Sequence, residues 1–101
     1  MSIMYISEYT QSGLSPQGAI IGVEPSTDQH ISFTGTAGQS AAFANNTSMV
    51  RITLDGIGSI AFGTNPTAVA SQSKRLSAGI PEYFIVPFGA AWKVSAVTTT
   101  V

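Results

Sequence analysis

The side chains that could carry acid–base or nucleophilic chemistry are few and scattered. The 101 residues include one histidine, His30, five carboxylates, four basic side chains and no cysteine. The carboxylates are Glu8, Glu24, Asp28, Asp55 and Glu82, and the bases are Arg51, Lys74, Arg75 and Lys93. Without cysteine, the chain has no disulfide framework, no thiolate zinc site and no cysteine nucleophile.

Neither of the catalytic arrangements that these residues suggest is complete. A cupin-type metal site needs two or more histidines and a carboxylate, and His30 stands alone. His30 and Asp28 could be two members of a Ser-His-Asp triad, but no nucleophile-elbow pattern accompanies them. Glu24 and Asp28 flank a predicted loop and could form a carboxylate pair for acid–base catalysis, but carboxylates in loops are usually solvated. We therefore expect a protein that is not an enzyme and holds no metal and no cofactor.

Phosphate, nucleic acid and membranes are also poor candidates for partners. The glycine pairs in residues 35–38 and 56–59 are not followed by a lysine and a helix, as a phosphate loop requires. Lys74-Arg75 is the only basic pair, and it lacks interleaved aromatic residues. The net charge is −1, which gives no electrostatic footprint for nucleic acid or an anionic membrane. Residues 1–10 do not read as a signal peptide, so we expect synthesis in the cytoplasm.

The composition points instead to contact with other protein. Charged residues make up 9% of the chain, against about 25% in an ordinary soluble domain. Hydrophobic residues make up 44%, which is enough for one core. A surface of serine, threonine, alanine and amides is typical when much of it faces other protein molecules.

The hydrophobic pattern has the period of two that is typical of β-strands. In Met49–Asp55, three apolar residues (Val50, Ile52 and Leu54) fall on one face of a half-buried strand. The turn pair Asp55-Gly56 precedes a second alternating stretch, Ser59–Gly63, so we predict a hairpin over residues 49–63. The same rule predicts six further strands: Ile3–Tyr9, Ala19–Val23, His30–Thr34, Gln39–Phe43, Glu82–Phe88 and Trp92–Thr98.

Short strands that recur every 8–12 residues predict an all-β fold. We expect a single domain, residues 1–101, that forms an antiparallel β-sandwich or a jelly-roll-like small barrel of seven to eight strands. An N-terminal arm, residues 1–9, and a C-terminal tail, residues 98–101, are expected to reach a neighbouring molecule. The predicted core consists of Phe33, Val50, Ile52, Leu54, Ile60, Phe62, Ile85 and Val94.

Several apolar and aromatic residues near the ends of the chain exceed what the core needs. They lie on strands with two apolar faces, and tyrosine and tryptophan are favoured in interfaces. The candidate interface residues are Ile3, Tyr5, Ile6, Tyr9, Tyr83, Phe84, Phe88 and Trp92. Because Glu82–Phe88 is apolar on both faces, we expect a homo-oligomer.

Two segments in the second half of the chain resemble known proteins. They are Val50–Gly56 with Ser59–Ala68, and Leu76–Phe84 with Pro87–Gly89 and Trp92–Val97. Together they resemble short β-rich proteins encoded among the head genes of tailed bacteriophages, some of which are capsid decoration or cement proteins. The resemblance implies a virion structural protein that oligomerises and binds the major capsid protein on the outer capsid surface. It implies no catalytic residues.

A second class of function remains open at this point. Trp92 and the tyrosines could stack on sugar rings in a small carbohydrate- or receptor-binding β-sandwich of a virion tail. Such sites usually include a cluster of Asp, Asn and Gln, and the sequence shows none near Trp92.

Overall fold

The computed structural model describes residues 2–14, 16, 18, 20–22, 26–70 and 72–99, and within them it contains ten β-strands and no helix. The strands are β1 (Ser2–Tyr9), β2 (Ser12–Leu14), β3 (Ile20–Gly22), β4 (Thr27–Phe33), β5 (Gly38–Gln39), β6 (Met49–Leu54), β7 (Gly58–Gly63), β8 (Lys74–Leu76), β9 (Glu82–Ile85) and β10 (Lys93–Thr98). The predicted all-β fold is confirmed.

Eight of these strands form two four-stranded sheets, and β2 and β3 pair separately as a two-stranded sheet. Sheet I has the order β4-β1-β6-β9, and sheet II has the order β5-β10-β7-β8. All strand pairings are antiparallel. The architecture is therefore that of a small β-sandwich.

The core lies between the inward faces of the two sheets. Alternating residues of β1 and β6 supply one half, including Met4, Ile6 and Ile52, and strands of sheet II supply Ile60 and Val94. Six of the eight predicted core residues are buried: Phe33, Val50, Ile52, Leu54, Ile60 and Val94. Phe62 is half-buried against this cluster. Ile85 is 73% exposed, so its assignment to the core is wrong, because β9 is an outer strand whose Ile85 side lies uncovered.

The predicted hairpin over residues 49–63 is also wrong, because β6 and β7 belong to different sheets. Asp55 continues the pairing with β1: its backbone N–H donates to Ile3 O at 3.1 Å, and its Oδ1 accepts from Ile3 N–H at 2.7 Å. The chain then crosses to sheet II at Gly58, where an added Cβ would lie 2.9 Å from the carbonyl oxygen of Val97. Alternation looks the same in a hairpin and in two facing sheets, so the pattern could not distinguish them.

Residues 2–9 are not a free arm. They form β1, which is paired along both sides, with β4 and with β6. This corrects the expected N-terminal arm, since removing an inner strand would remove the middle of sheet I. Of the expected tail, Thr98 belongs to β10 and its N–H donates to Thr34 O at 2.9 Å. Residues 100 and 101 lie outside the described residues.

Two other strand predictions are corrected in detail. In the predicted strand Gln39–Phe43, only Gln39 belongs to a strand, β5. The following residues run beside β10 through irregular bonds, Ser40 N–H to Val94 O and Phe43 N–H to Trp92 O. Strand β8 was not predicted, because three residues, Lys74-Arg75-Leu76, are too few for an alternating pattern to be detected. The predicted strand Ala19–Val23 is described only at Ile20–Gly22, where it is β3.

Candidate functional site

The most exposed apolar surface of the described chain lies on one short segment, residues 80–88, which we call the apolar edge. Seven large hydrophobic side chains are exposed in the described residues, and four of them lie here. They are Ile80 (56% exposed), Tyr83 (37%), Ile85 (73%) and Phe88 (68%). Such a concentration of exposed apolar side chains on one segment usually marks an interaction site.

The backbone of the apolar edge is also unpaired on one side. Strand β9 is the last strand of sheet I, and no described strand pairs with its outer side. The Val86 N–H donates to Ser48 O, on the side of β6. Because amides alternate in direction along an antiparallel strand, those of Glu82 and Phe84 also point towards β6. The N–H and C=O groups of Tyr83 and Ile85 therefore point outwards, free to bind another strand.

Two prolines mark the ends of this free stretch. Pro81 precedes β9 and Pro87 follows it, at positions that point outwards with the same alternation. Proline has no N–H to donate, so each one ends the row of available donors. Just after the second proline the chain turns, with Ala90 N–H donating to Pro87 O and Gly89 at a φ of 73°. Between the prolines, the free edge thus offers two N–H donors only, those of Tyr83 and Ile85.

The opposite face of β9 anchors the apolar edge to the core. The ring centroid of Phe84 lies 5.1 Å from that of Phe62, whose own centroid lies 6.5 Å from that of Trp92. The Nζ of Lys74 lies 6.0 Å from the centroid of Phe84. Phe84 and Trp92, both predicted interface residues, are half-buried against the core by this packing.

The predicted interface residues of β1 divide between the two faces of sheet I. Ile6 and Tyr9 are 1% and 6% exposed, so they belong to the protein's own core. Their assignment to an interface is corrected accordingly, because both are covered in the folded chain. Ile3 is half-buried, whereas Tyr5 is 49% exposed.

Tyr5 lies within a second exposed surface, on the outer face of sheet I, which we call the ring platform. Across the sheet Tyr5 faces His30, with ring centroids 6.2 Å apart. In the neighbouring row, Asp28 and Arg51 lie on either side of Ser7, and Tyr83 follows Arg51. The ring platform consists of Tyr5, Asp28, His30, Arg51 and Tyr83. Sequence analysis missed this group because its members come from four different strands.

Glu8 is a buried carboxylate that the sequence analysis treated as an ordinary acidic residue. It is 6% exposed, and its Oε1 accepts from Ala44 N–H at 2.9 Å and from the Thr47 hydroxyl at 2.8 Å. Its Oε2 accepts from Gln29 Nε2 at 3.2 Å. Three donors occupy the carboxylate, so its role is to hold residues 44–47 against sheet I.

Among the described residues, no group of three or more His, Asp or Glu side chains is placed to hold a metal ion. No helix in that part of the chain is long and apolar enough to cross a membrane.

Comparison of the chain with family models, curated proteins and solved structures finds no match. The resemblance to phage head-gene products therefore rests on the sequence segments alone.

Proposed function

We propose that this protein is a virion structural protein that binds the outside of an assembled phage capsid and stabilises it. The observation that carries the proposal is the apolar edge, which concentrates four exposed apolar side chains on nine residues at a free sheet edge. The resemblance of the second half of the chain to phage head-gene products suggests that the assembly it binds is a capsid.

The stabilising mechanism is mass action. A protein that binds only the assembled capsid lowers its free energy by RT ln(1 + [L]/Kd) per site. Many symmetric copies on one shell would add avidity without any new contact. A surface with few charges suits such binding, because few charged groups need to be desolvated on contact.

The test is co-purification with virions of the phage whose genome encodes the chain. We expect a copy number in a fixed ratio to the major capsid protein. The variant Phe88→Ser should reduce that copy number at least tenfold. Ile57→Ser, which alters another exposed apolar residue outside the apolar edge, should leave it unchanged. Absence from purified virions, or a few copies at the tail tip, would overturn the proposal.

The ring platform favours the second candidate, a carbohydrate- or receptor-binding module of a virion tail. Sugar rings stack on exposed aromatic faces, and Tyr5 offers one beside the polar groups of His30, Asp28 and Arg51. Trp92, the residue first considered for stacking, packs against the core instead. A glycan-array signal that Tyr5→Ala removes and Phe88→Ser retains would support this candidate over the first.

A further inference from the structure

The apolar edge reads almost the same in both directions. Around Phe84 as centre, three of the four pairs of positions match in type: Tyr83 and Ile85 are large and exposed, Pro81 and Pro87 are identical, and only Glu82 and Val86 differ. Ile80 and Phe88, at the two ends, are again large, apolar and exposed. Such a segment is self-complementary, which is what a two-fold symmetric interface requires.

We infer that β9 pairs antiparallel with β9 of a second copy of this chain, with Phe84 on the two-fold axis. The inference rests on the proposed function in taking the apolar edge as a protein-binding surface, and it names a second copy as the partner there, so that a paired unit and not a single chain binds the capsid. In this register Tyr83 faces the second copy's Ile85, and Ile80, just outside β9, lies at the same end of the pairing as its Phe88. The exposed apolar side chains of the segment would then cover one another.

The hydrogen bonds fit the same register. Tyr83 and Ile85 both direct their N–H and C=O groups outwards, so each Tyr83–Ile85 pair exchanges two bonds, and the two-fold axis makes four in all. The next outward positions are Pro81 and Pro87, which face each other across the interface and lack donors. The paired stretch therefore uses every free amide between the prolines and leaves none unmatched.

The charges near the interface also balance. Glu82 lies opposite the second copy's Val86, so the two Glu82 carboxylates stand at opposite ends of the pairing and do not face each other. Lys74, whose Nζ lies 6.0 Å from the Phe84 ring centroid, would bring one positive charge per copy to the same face as Glu82. Two lysines and two glutamates give no net charge there.

Removal of one backbone N–H distinguishes strand pairing from nonspecific hydrophobic association. The Ile85 N–H points away from β6, so Ile85→Pro removes an intermolecular donor and no bond within sheet I. Ile85→Val is the matched control, because it keeps the N–H and most of the apolar side chain. By sedimentation equilibrium, we expect about twice the single-chain mass of 10.4 kDa for the wild type and the Ile85→Val variant. Ile85→Pro should give the single-chain mass with an unchanged circular dichroism spectrum.

A cross-linking test fixes the register, since the chain has no cysteine of its own. The Tyr83 and Ile85 positions would face each other with Cα atoms about 5.5 Å apart, within the range of a disulfide. Two Ile85 positions would lie about 9 Å apart, which is too far. Under mild oxidation, an equimolar mixture of the Tyr83→Cys and Ile85→Cys variants should form a cross-linked dimer, and neither variant alone should.

Three outcomes would overturn the inference: a wild-type protein that is monomeric at high micromolar concentration, an Ile85→Pro variant that stays dimeric, or an Ile85→Cys variant that cross-links by itself. These experiments use the purified protein without virions. A monomer that still binds virions would refute the pairing and leave the proposed function standing, while a dimer absent from virions would do the reverse.

Discussion

The hydroxyl of Thr47 donates a 2.8 Å hydrogen bond to Oε1 of Glu8, a residue 39 positions earlier in the chain, and both side chains are buried. Glu8 lies on an inner strand of sheet I, whereas Thr47 lies in the loop that precedes β6. The bond therefore fixes a long connection, residues 40–48, to the face of the sheet. Because the carboxylate is shielded from water, the loss of a donor cannot be made good by solvent.

We expect Thr47→Val to lower the free energy of unfolding by about 1.5–3 kcal/mol, the usual range for a buried hydrogen bond to a charged group. Thr47→Ser keeps the hydroxyl and should cost about 1 kcal/mol through its lost methyl group. Urea denaturation of both variants measures the difference. A larger loss for Thr47→Ser than for Thr47→Val, which keeps the methyl group, would mean that the methyl group, and not the hydrogen bond, is what matters at Thr47.

A second prediction concerns the close approach at Gly58. An added Cβ there would lie 2.9 Å from Val97 O and 3.0 Å from a ring carbon of Phe33, so the backbone of β10 would have to move. Gly58→Ala should destabilise the protein by about 1–3 kcal/mol. Gly35→Ala is the control, since the nearest atom to its Cβ would be Thr98 Oγ1 at 4.0 Å. The control's melting temperature should stay the same or rise slightly.

A third prediction ranks two phenylalanines that the sequence analysis placed together in the core. Phe33 is 1% exposed, and Phe33→Ala should cost about 3–5 kcal/mol. Phe62 is half-buried between Phe84 and Trp92, so Phe62→Ala should cost roughly half as much. Chemical denaturation gives both values. A larger loss at Phe62 would show that the three-ring cluster is more important to stability than its exposure indicates.

The fourth prediction uses the two faces of β1. Ile6 is 1% exposed and should lose about 2–5 kcal/mol on substitution by alanine. Tyr5, its neighbour on the outer face, is 49% exposed, and Tyr5→Ala should change stability by less than about 1 kcal/mol. Deletion of residues 2–9 should abolish folding, because it removes an inner strand. A folded deletion variant by circular dichroism would restore the idea of a detachable arm.

Features that depend on neighbouring residues could be predicted from the sequence, and features that depend on distant residues could not. Alternation in Val50, Ile52 and Leu54 acts within one strand, and it correctly gave the strand and its buried face. Which strands become neighbours depends on contacts between distant residues. Residues 49–63 therefore looked like a hairpin, whereas the strand pairings place β6 in sheet I and β7 in sheet II.

The same limit applies to the candidate surfaces. The apolar character of Glu82–Phe88 was evident, and so was its excess over what one core can hold. Both faces of β9 are apolar, so no local pattern shows that Phe84 and Val86 point inwards and Ile85 outwards; how the strand packs on the core decides it. The ring platform could not be predicted for a similar reason, because its members come to one face of sheet I only through the register of four strands.

The position of β10 sets a condition on when this protein can fold. Residues 93–98 lie between β5 and β7, so sheet II lacks one of its two inner strands until they have left the ribosome. Before that, β7 presents an unpaired edge and the buried face of sheet I stays open to solvent. Folding must therefore follow synthesis of nearly all the described chain, and pairing between distant strands is slow, in the millisecond-to-second range. During that interval the exposed apolar faces and the unpaired edge of β7 make the nascent chain prone to aggregation.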